Sequence, residues 1–168
     1  MSPVTEEMRA KAEVYYGQEK FEERSKFMLQ EAGLPLGLLP LKDVEECGYV
    51  EETGFVWVKQ KKKITHKFEK VGRLVTYDSE VTAYVEPNRI RKLHGVKTKE
   101  LLIWITLAEI FVNDPPTGKL TVKTPQGLTR SFPVAAFELE VAAAKEGEGL
   151  KEVKEKKEAS EAMEVKAV

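Results

Sequence analysis

From Val44 onward the sequence alternates between apolar and polar residues in short runs, and this limits the fold more than any other feature. Successive side chains of an extended chain point to opposite faces, so a period of two over roughly four to eight residues specifies a half-buried strand. Val44 to Val50 and Phe55 to Gln60 are two such runs, separated by Glu51-Glu52-Thr53-Gly54. They predict a hairpin with the glycine at a turn position. Phe55 and Trp57 share one face of the second run, Val56 and Val58 the other. Further strands are expected over Ile64 to Phe68, Arg73 to Tyr77 and Val81 to Val85, divided by Gly72 and by Asp78-Ser79-Glu80. Pro87-Asn88 reads as a turn, and Leu93-His94-Gly95 as a short irregular link.

Leu101 to Val112 is the most apolar stretch. Its β-branched and aromatic content favours strand over helix, and its two apolar faces predict burial on both sides, interrupted by Glu109. Trp57 and Trp104 read as core anchors. Asn113 to Gly118 is a loop signal. Leu120 to Thr124 and Leu128 to Phe132 form a second hairpin around Pro125-Gln126-Gly127, and Val134 to Val141 closes the domain. Seven to eight short strands predict an antiparallel barrel or sandwich, mainly β, with an N-terminal α-helix covering one opening.

That helix is expected over residues 1–33. Thr5 can cap it, with Glu6 and Glu7 in the first turn. Phe21, Ser25, Met28, Leu29 and Ala32 fall on one face, Gly33 suits a left-handed C′ position, and Gly17 is a point where the segment can divide. Leu34-Pro35-Leu36-Gly37-Leu38-Leu39-Pro40 excludes regular structure yet is apolar, so an ordered loop against the core is expected. The β domain spans 34–141. Residues 142–168 are rich in Lys, Glu and Ala and read as a disordered or weakly helical tail.

Function classes narrow quickly. There is no P-loop, no G-x-S-x-G elbow and no Gly-rich dinucleotide fingerprint in the sequence. The two histidines, His66 and His94, are not at metal-ligand spacing, and the lone Cys47 suits a core or strand position. No catalytic residue, cofactor or metal is therefore expected. The N-terminus is acidic where a secretory signal is basic and then apolar, and no apolar run reaches the length of a spanning helix. A cytoplasmic, non-secreted protein is expected, in peripheral contact with membranes at most.

Charge is the informative quantity. The 168 residues carry 27 basic and 28 acidic side chains, a net charge of −1. Summed by segment, residues 35–54 hold 1 basic and 5 acidic groups, net −4, whereas residues 55–99 hold 12 and 4, net +8. Two clusters make the basic block: Lys59, Lys61, Lys62, Lys63, His66, Lys67 and Lys70, then Arg89, Arg91, Lys92, His94, Lys97 and Lys99. On a shared face their potentials would add and attract anionic headgroups. The competing reading is that strand-edge lysines block edge pairing. Aromatic residues are not interleaved with the lysines as in an RNA-stacking platform, so nucleic acid is not an expected partner.

Four motifs in order carry a family resemblance. Leu34 to Pro40 resembles the "(L/M)P-x-GLLP" opening of the plant domain-of-unknown-function family 538. Gly48 to Gly54 resembles its "Y-x-x-x-TG" hairpin, Gly95-Val96-Lys97 with Leu101 to Ile105 its "GVK…hhhW" strand, and Arg130 to Phe137 its closing "FPVSAF". Ile64 to Glu69 and Lys99 to Trp104 resemble the branch called Smaller with Variable Branches. The resemblance implies a closed antiparallel β-barrel, a comparison with lipid-binding bactericidal/permeability-increasing proteins, and a link with trichome and epidermal growth and stress responses. It implies no catalytic residues.

The leading expectation is a non-enzymatic protein binding anionic lipid or another amphiphile. Lys61, Lys62, Lys63, Lys67, Arg89, Arg91 and Lys92 would contact anionic groups, while the barrel or helix-covered opening would take up apolar chains. A protein-interaction scaffold in growth or stress signalling is the alternative, and an ester hydrolase a weaker one.

Overall fold

The computed structural model describes residues 3–139. Among the described residues ten antiparallel strands form one sheet, in the order β1 (Glu13–Tyr16), β2 (Val44–Val50), β3 (Phe55–Gln60), β5 (Arg73–Glu86), β6 (Arg89–Glu100), β8 (Glu109–Val112), β9 (Lys119–Lys123) and β10 (Thr129–Pro133), with β4 (Ile64–Phe68) also paired to β5 and β7 (Ile103–Thr106) to β6. β3 (Phe55–Gln60) and β4 (Ile64–Phe68) pair end to end along one edge of the long β5 (Arg73–Glu86). Likewise β7 (Ile103–Thr106) and β8 (Glu109–Val112) share an edge of β6 (Arg89–Glu100). The sheet is therefore eight strands wide, in line with the mainly β expectation. β1 and β10 do not pair with each other, so the sheet bends without closing into the barrel that the resemblance implies.

The bend has identifiable causes. Asp78-Ser79-Glu80 does not split two strands as expected; it lies inside β5, where the register with β6 shifts between Tyr77 and Thr82. Leu93-His94-Gly95 is not a link either, but part of β6, where Lys92 and Gly95 have φ of 52° and 93°. Such extra residues kink a strand and increase its twist without breaking its pairing. Buried Gln60 holds the kink together. Its amide donates to the carbonyls of Tyr77 (2.9 Å) and Asp78 (3.0 Å), and its oxygen accepts from the Lys42 N–H at 3.1 Å.

The N-terminal region departs from a single helix. α1 (Glu6–Lys11) starts at Thr5, whose hydroxyl oxygen accepts from the Met8 N–H at 3.1 Å. β1 (Glu13–Tyr16) follows and pairs with β2 (Val44–Val50), and only then does α2 (Gln18–Ala32) begin, after Gly17 at φ 92°. Val14-Tyr15-Tyr16 are strand formers, and the open edge of β2 satisfies their backbone, which outweighs helical continuation. α2 ends as expected: Gly33 is left-handed, and the Leu34 and Gly33 N–H groups bond the Leu29 and Gln30 carbonyls.

The two faces of the sheet carry separate cores. The larger one takes Phe21, Leu29 and Ala32 of α2, the loop residues Leu34, Leu38 and Leu41, and Val58, Tyr77, Val81, Ile90 and Val96 of the sheet. The Leu34–Pro40 loop is ordered against this core, as its composition predicts: the Gly37 N–H bonds the Phe137 carbonyl at 2.8 Å, and the Tyr77 hydroxyl donates to the Leu38 carbonyl at 2.9 Å. The smaller core is Val50, Phe55 and Trp57 under Val4, Met8 and Ala12. Trp57 is the anchor expected. Its indole lies where a Gly48 side chain would be, so β2 needs glycine there.

Trp104 is not an anchor. Leu101, Leu102, Ile103 and Trp104 are 89%, 90%, 62% and 43% exposed, so the expected burial on both sides fails at this end of the stretch. Leu101-Leu102 is the turn between β6 and β7, with Glu100 paired to Ile103. Further along the same stretch, Leu107 and Ile110 are buried as expected. Val134–Phe137 forms a 3-10 helix where a closing strand was expected, after β9 (Lys119–Lys123) and β10 (Thr129–Pro133). The expected tail at 142–168 lies outside the described residues.

Candidate functional site

Between α2 and the β1–β2–β3 surface lies a cavity of about 500 Å³. Its origin is legible in side-chain size. Cys47, Val56 and Val58 form a shallow floor, and Ser25 interrupts the apolar stripe of α2 in the roof. Small groups on both surfaces leave a void because the helix cannot approach closer than its larger neighbours Phe21 and Met28 allow. Tyr15, Leu39 and Val85 complete an apolar wall, and Phe27, 54% exposed, stands at the mouth.

The rim is polar and mainly acidic. Glu13, Glu31, Glu51 and Glu86 face Arg24 as the one cation of the lining. Arg24 stacks over Tyr15 (5.0 Å) and Phe27 (5.3 Å) and lies 3.7 Å from Glu13, which also accepts from the Tyr15 hydroxyl at 2.9 Å. That hydrogen bond raises the Tyr15 phenol above its ordinary value. Burial pushes the Cys47 thiol up to about 11, so the floor stays uncharged at neutral pH. The cavity suits an apolar chain with a neutral or cationic head, since an anion would meet the carboxylates.

The basic residues picked out in the sequence lie elsewhere and fall into three places. Lys61, Lys62 and Lys63 are exposed on the connection between β3 and β4. Arg89, Arg91 and Lys92 cluster at the start of β6, where acids and aromatic rings engage them. Arg89 pairs with Glu109 and stacks on Phe111, Arg91 bonds Glu86 at 2.5 Å, and Arg91 and Lys92 lie over Tyr84. Lys67 sits on β4 opposite Leu74, and Lys97 and Lys99 reach the same face from β6. Arg89 and Lys99 are ten positions apart on β6, roughly 30 Å at strand spacing, so the two ends are separate surfaces.

Residue-by-residue reading of the sequence had no means of finding Tyr15, Arg24 and Phe27, because a strand inside an expected helix brings them together. The interruption of the α2 stripe by Ser25 is the one local sign of a void. His66 packs edge-on to Phe68 at 4.6 Å, and burial, with Lys42 nearby, lowers its basicity.

Compared with known protein families, residues 25–138 match the protein of unknown function family DUF538. The chain belongs to the DUF538 family. The match takes in α2 from Ser25 onward, the Leu34–Pro40 loop and the sheet from β2 to β10, so the cavity floor and the part of its roof that starts at Ser25 lie within the DUF538 region. α1, β1 and the first half of α2, with Phe21 and Arg24, precede it. No curated protein and no solved structure matches the chain. Among the described residues of this DUF538 protein, no helix is long and apolar enough to cross a membrane.

Proposed function

We propose that this DUF538 protein is a non-enzymatic binder of amphiphiles that works at anionic membrane surfaces. The cavity beneath α2 carries the reading: about 500 Å³ with an apolar wall holds the chain of a small amphiphile. The carboxylate rim selects a neutral or cationic head, while the membrane is met by a different surface. Lys61, Lys62 and Lys63, from the net +8 segment, supply attraction to anionic headgroups at about 1 kcal/mol per group close to the surface, and Lys67, 3.9 Å from Glu69, adds less. Arg89, Arg91 and Lys92 add less, because Glu86 and Glu109 neutralise the arginines. The finer likeness to the Smaller with Variable Branches group, with its plant origin, cytoplasmic setting and role in trichome growth and stress responses, belongs to the same proposal.

The test is direct. N-phenyl-1-naphthylamine, a neutral apolar fluorophore, should brighten on mixing with the protein in vesicle-free buffer. Ser25→Phe fills the cavity from the roof and should weaken that uptake by roughly tenfold or more while the protein stays folded. Equal uptake by the two proteins would refute the cavity as the binding site.

A further inference from the structure

We propose that the β6–β7 hairpin tip, Leu101 to Trp104, inserts into an anionic bilayer. This rests on the membrane-surface part of the proposed function and names the element that makes the contact.

The tip breaks two rules at once. Its turn has two residues, since Glu100 pairs with Ile103 across it. Leu101 holds a φ of 56°, the first position of the turn, where glycine is ordinarily found. Leucine there strains the backbone. Solvent should also select polar residues at an exposed apex, yet Leu101 and Leu102 are 89% and 90% exposed. Neither the turn nor the fold's interior explains two leucines in this place; burial in something outside the protein does.

The surroundings point to a bilayer. The leucines project from the end of a hairpin, a shape that enters a fluid layer without needing a matching pocket. Trp104, two residues after Leu102, places an amphipathic ring behind them, as is favoured at a membrane–water interface. Lys99 lies over that ring at 5.8 Å, and Lys97 and Lys67 share its face. Among the described residues Lys97 and Lys99 have no ion-pair partner. Glu100, the acid at the base of the tip, is already held by Arg73 (3.3 Å) and Arg130 (3.0 Å). Behind the apolar apex, then, the charge is positive, complementary to anionic headgroups.

The experiment uses the full chain with phosphatidylcholine vesicles, with and without phosphatidylserine. Flotation should be stronger with phosphatidylserine, and Trp104 emission should shift to the blue, a shift missing in Trp104→Phe. The double variant Leu101→Gly with Leu102→Asn removes the apex but supplies the residues this turn favours, so it should fold at least as well. It should lose vesicle binding by roughly tenfold or more. Unchanged flotation of the double variant overturns the proposal. So does a wild type that self-associates through the tip, with the variant monomeric and vesicle binding unaltered. N-phenyl-1-naphthylamine uptake, read in parallel without vesicles, should be the same in wild type and double variant. Its absence in both would count against the cavity and leave the tip standing.

Discussion

At Leu101 a single residue records a conflict between local preference and use. A left-handed backbone costs an L-residue with a Cβ on the order of 1 kcal/mol, a cost glycine escapes. Leu101→Gly alone should therefore raise unfolding free energy by about that amount, measured by urea denaturation, since no packed contact is lost at 89% exposure. Cys47 shows the opposite situation, a residue settled in its site. Its thiol, pushed up to about 11 by burial, leaves roughly one molecule in a thousand as thiolate at pH 8. Alkylation by iodoacetamide, followed by mass spectrometry, should run about a hundredfold below an ordinary exposed cysteine. Gln60 is settled too, through its hydrogen bonds at the β5 kink. The sequence placed it at the end of a strand without indicating that its amide was structural, because its partners are backbone groups of residues 42, 77 and 78.

Among the elements, α1 is held by a small set of contacts. Arg9 pairs with Glu46 of β2 at 2.5 Å and stacks over Trp57, whose indole N–H donates to the same carboxylate at 2.7 Å. The Arg9 hydrogen bond, helped by that of Trp57, holds the Glu46 carboxyl below its ordinary 4.5. A carboxyl lowered on folding stabilises the fold at and above its ordinary value. The contribution disappears as pH falls through the lower folded value. The Glu46 contribution should therefore be constant above about pH 5 and decline below 4.5. Glu46→Gln should remove that part of the acid sensitivity. Hydrogen exchange of residues 6–11 against pH is the measurement: exchange in α1 should rise before exchange in β5. The sequence marked the Thr5 cap and the acidic first turn of α1 correctly, but ran the helix on through β1. Propensity is local, whereas β1 exists because β2 offers it an unpaired edge thirty or so residues later.

For the molecule as a whole, the sheet sorts chemistry by face. One face meets α2 and holds the cavity; the other carries α1 at one end and the lysine shoulder of the β6–β7 tip at the other. Charge reversal at Lys61, Lys62 and Lys63 to Glu should weaken binding to anionic vesicles by roughly tenfold or more at low salt, with the difference shrinking as salt is added. The same variant should take up N-phenyl-1-naphthylamine normally in vesicle-free buffer, because the cavity is lined by none of the three. By itself the sequence determined the mainly β class, the β2–β3 hairpin, the end of α2 at Gly33, the ordered Leu34–Pro40 loop and the basic middle segment. All follow from periodicity, turn residues and charge, which act over a few neighbouring positions. Tertiary structure alone decided that two kinks leave the sheet open, that Arg89 and Arg91 are neutralised while Lys97 and Lys99 are not, and that Leu101 to Trp104 face out. Each of these depends on which distant strand lies alongside. An apolar run reads the same whether a second layer covers it or nothing does.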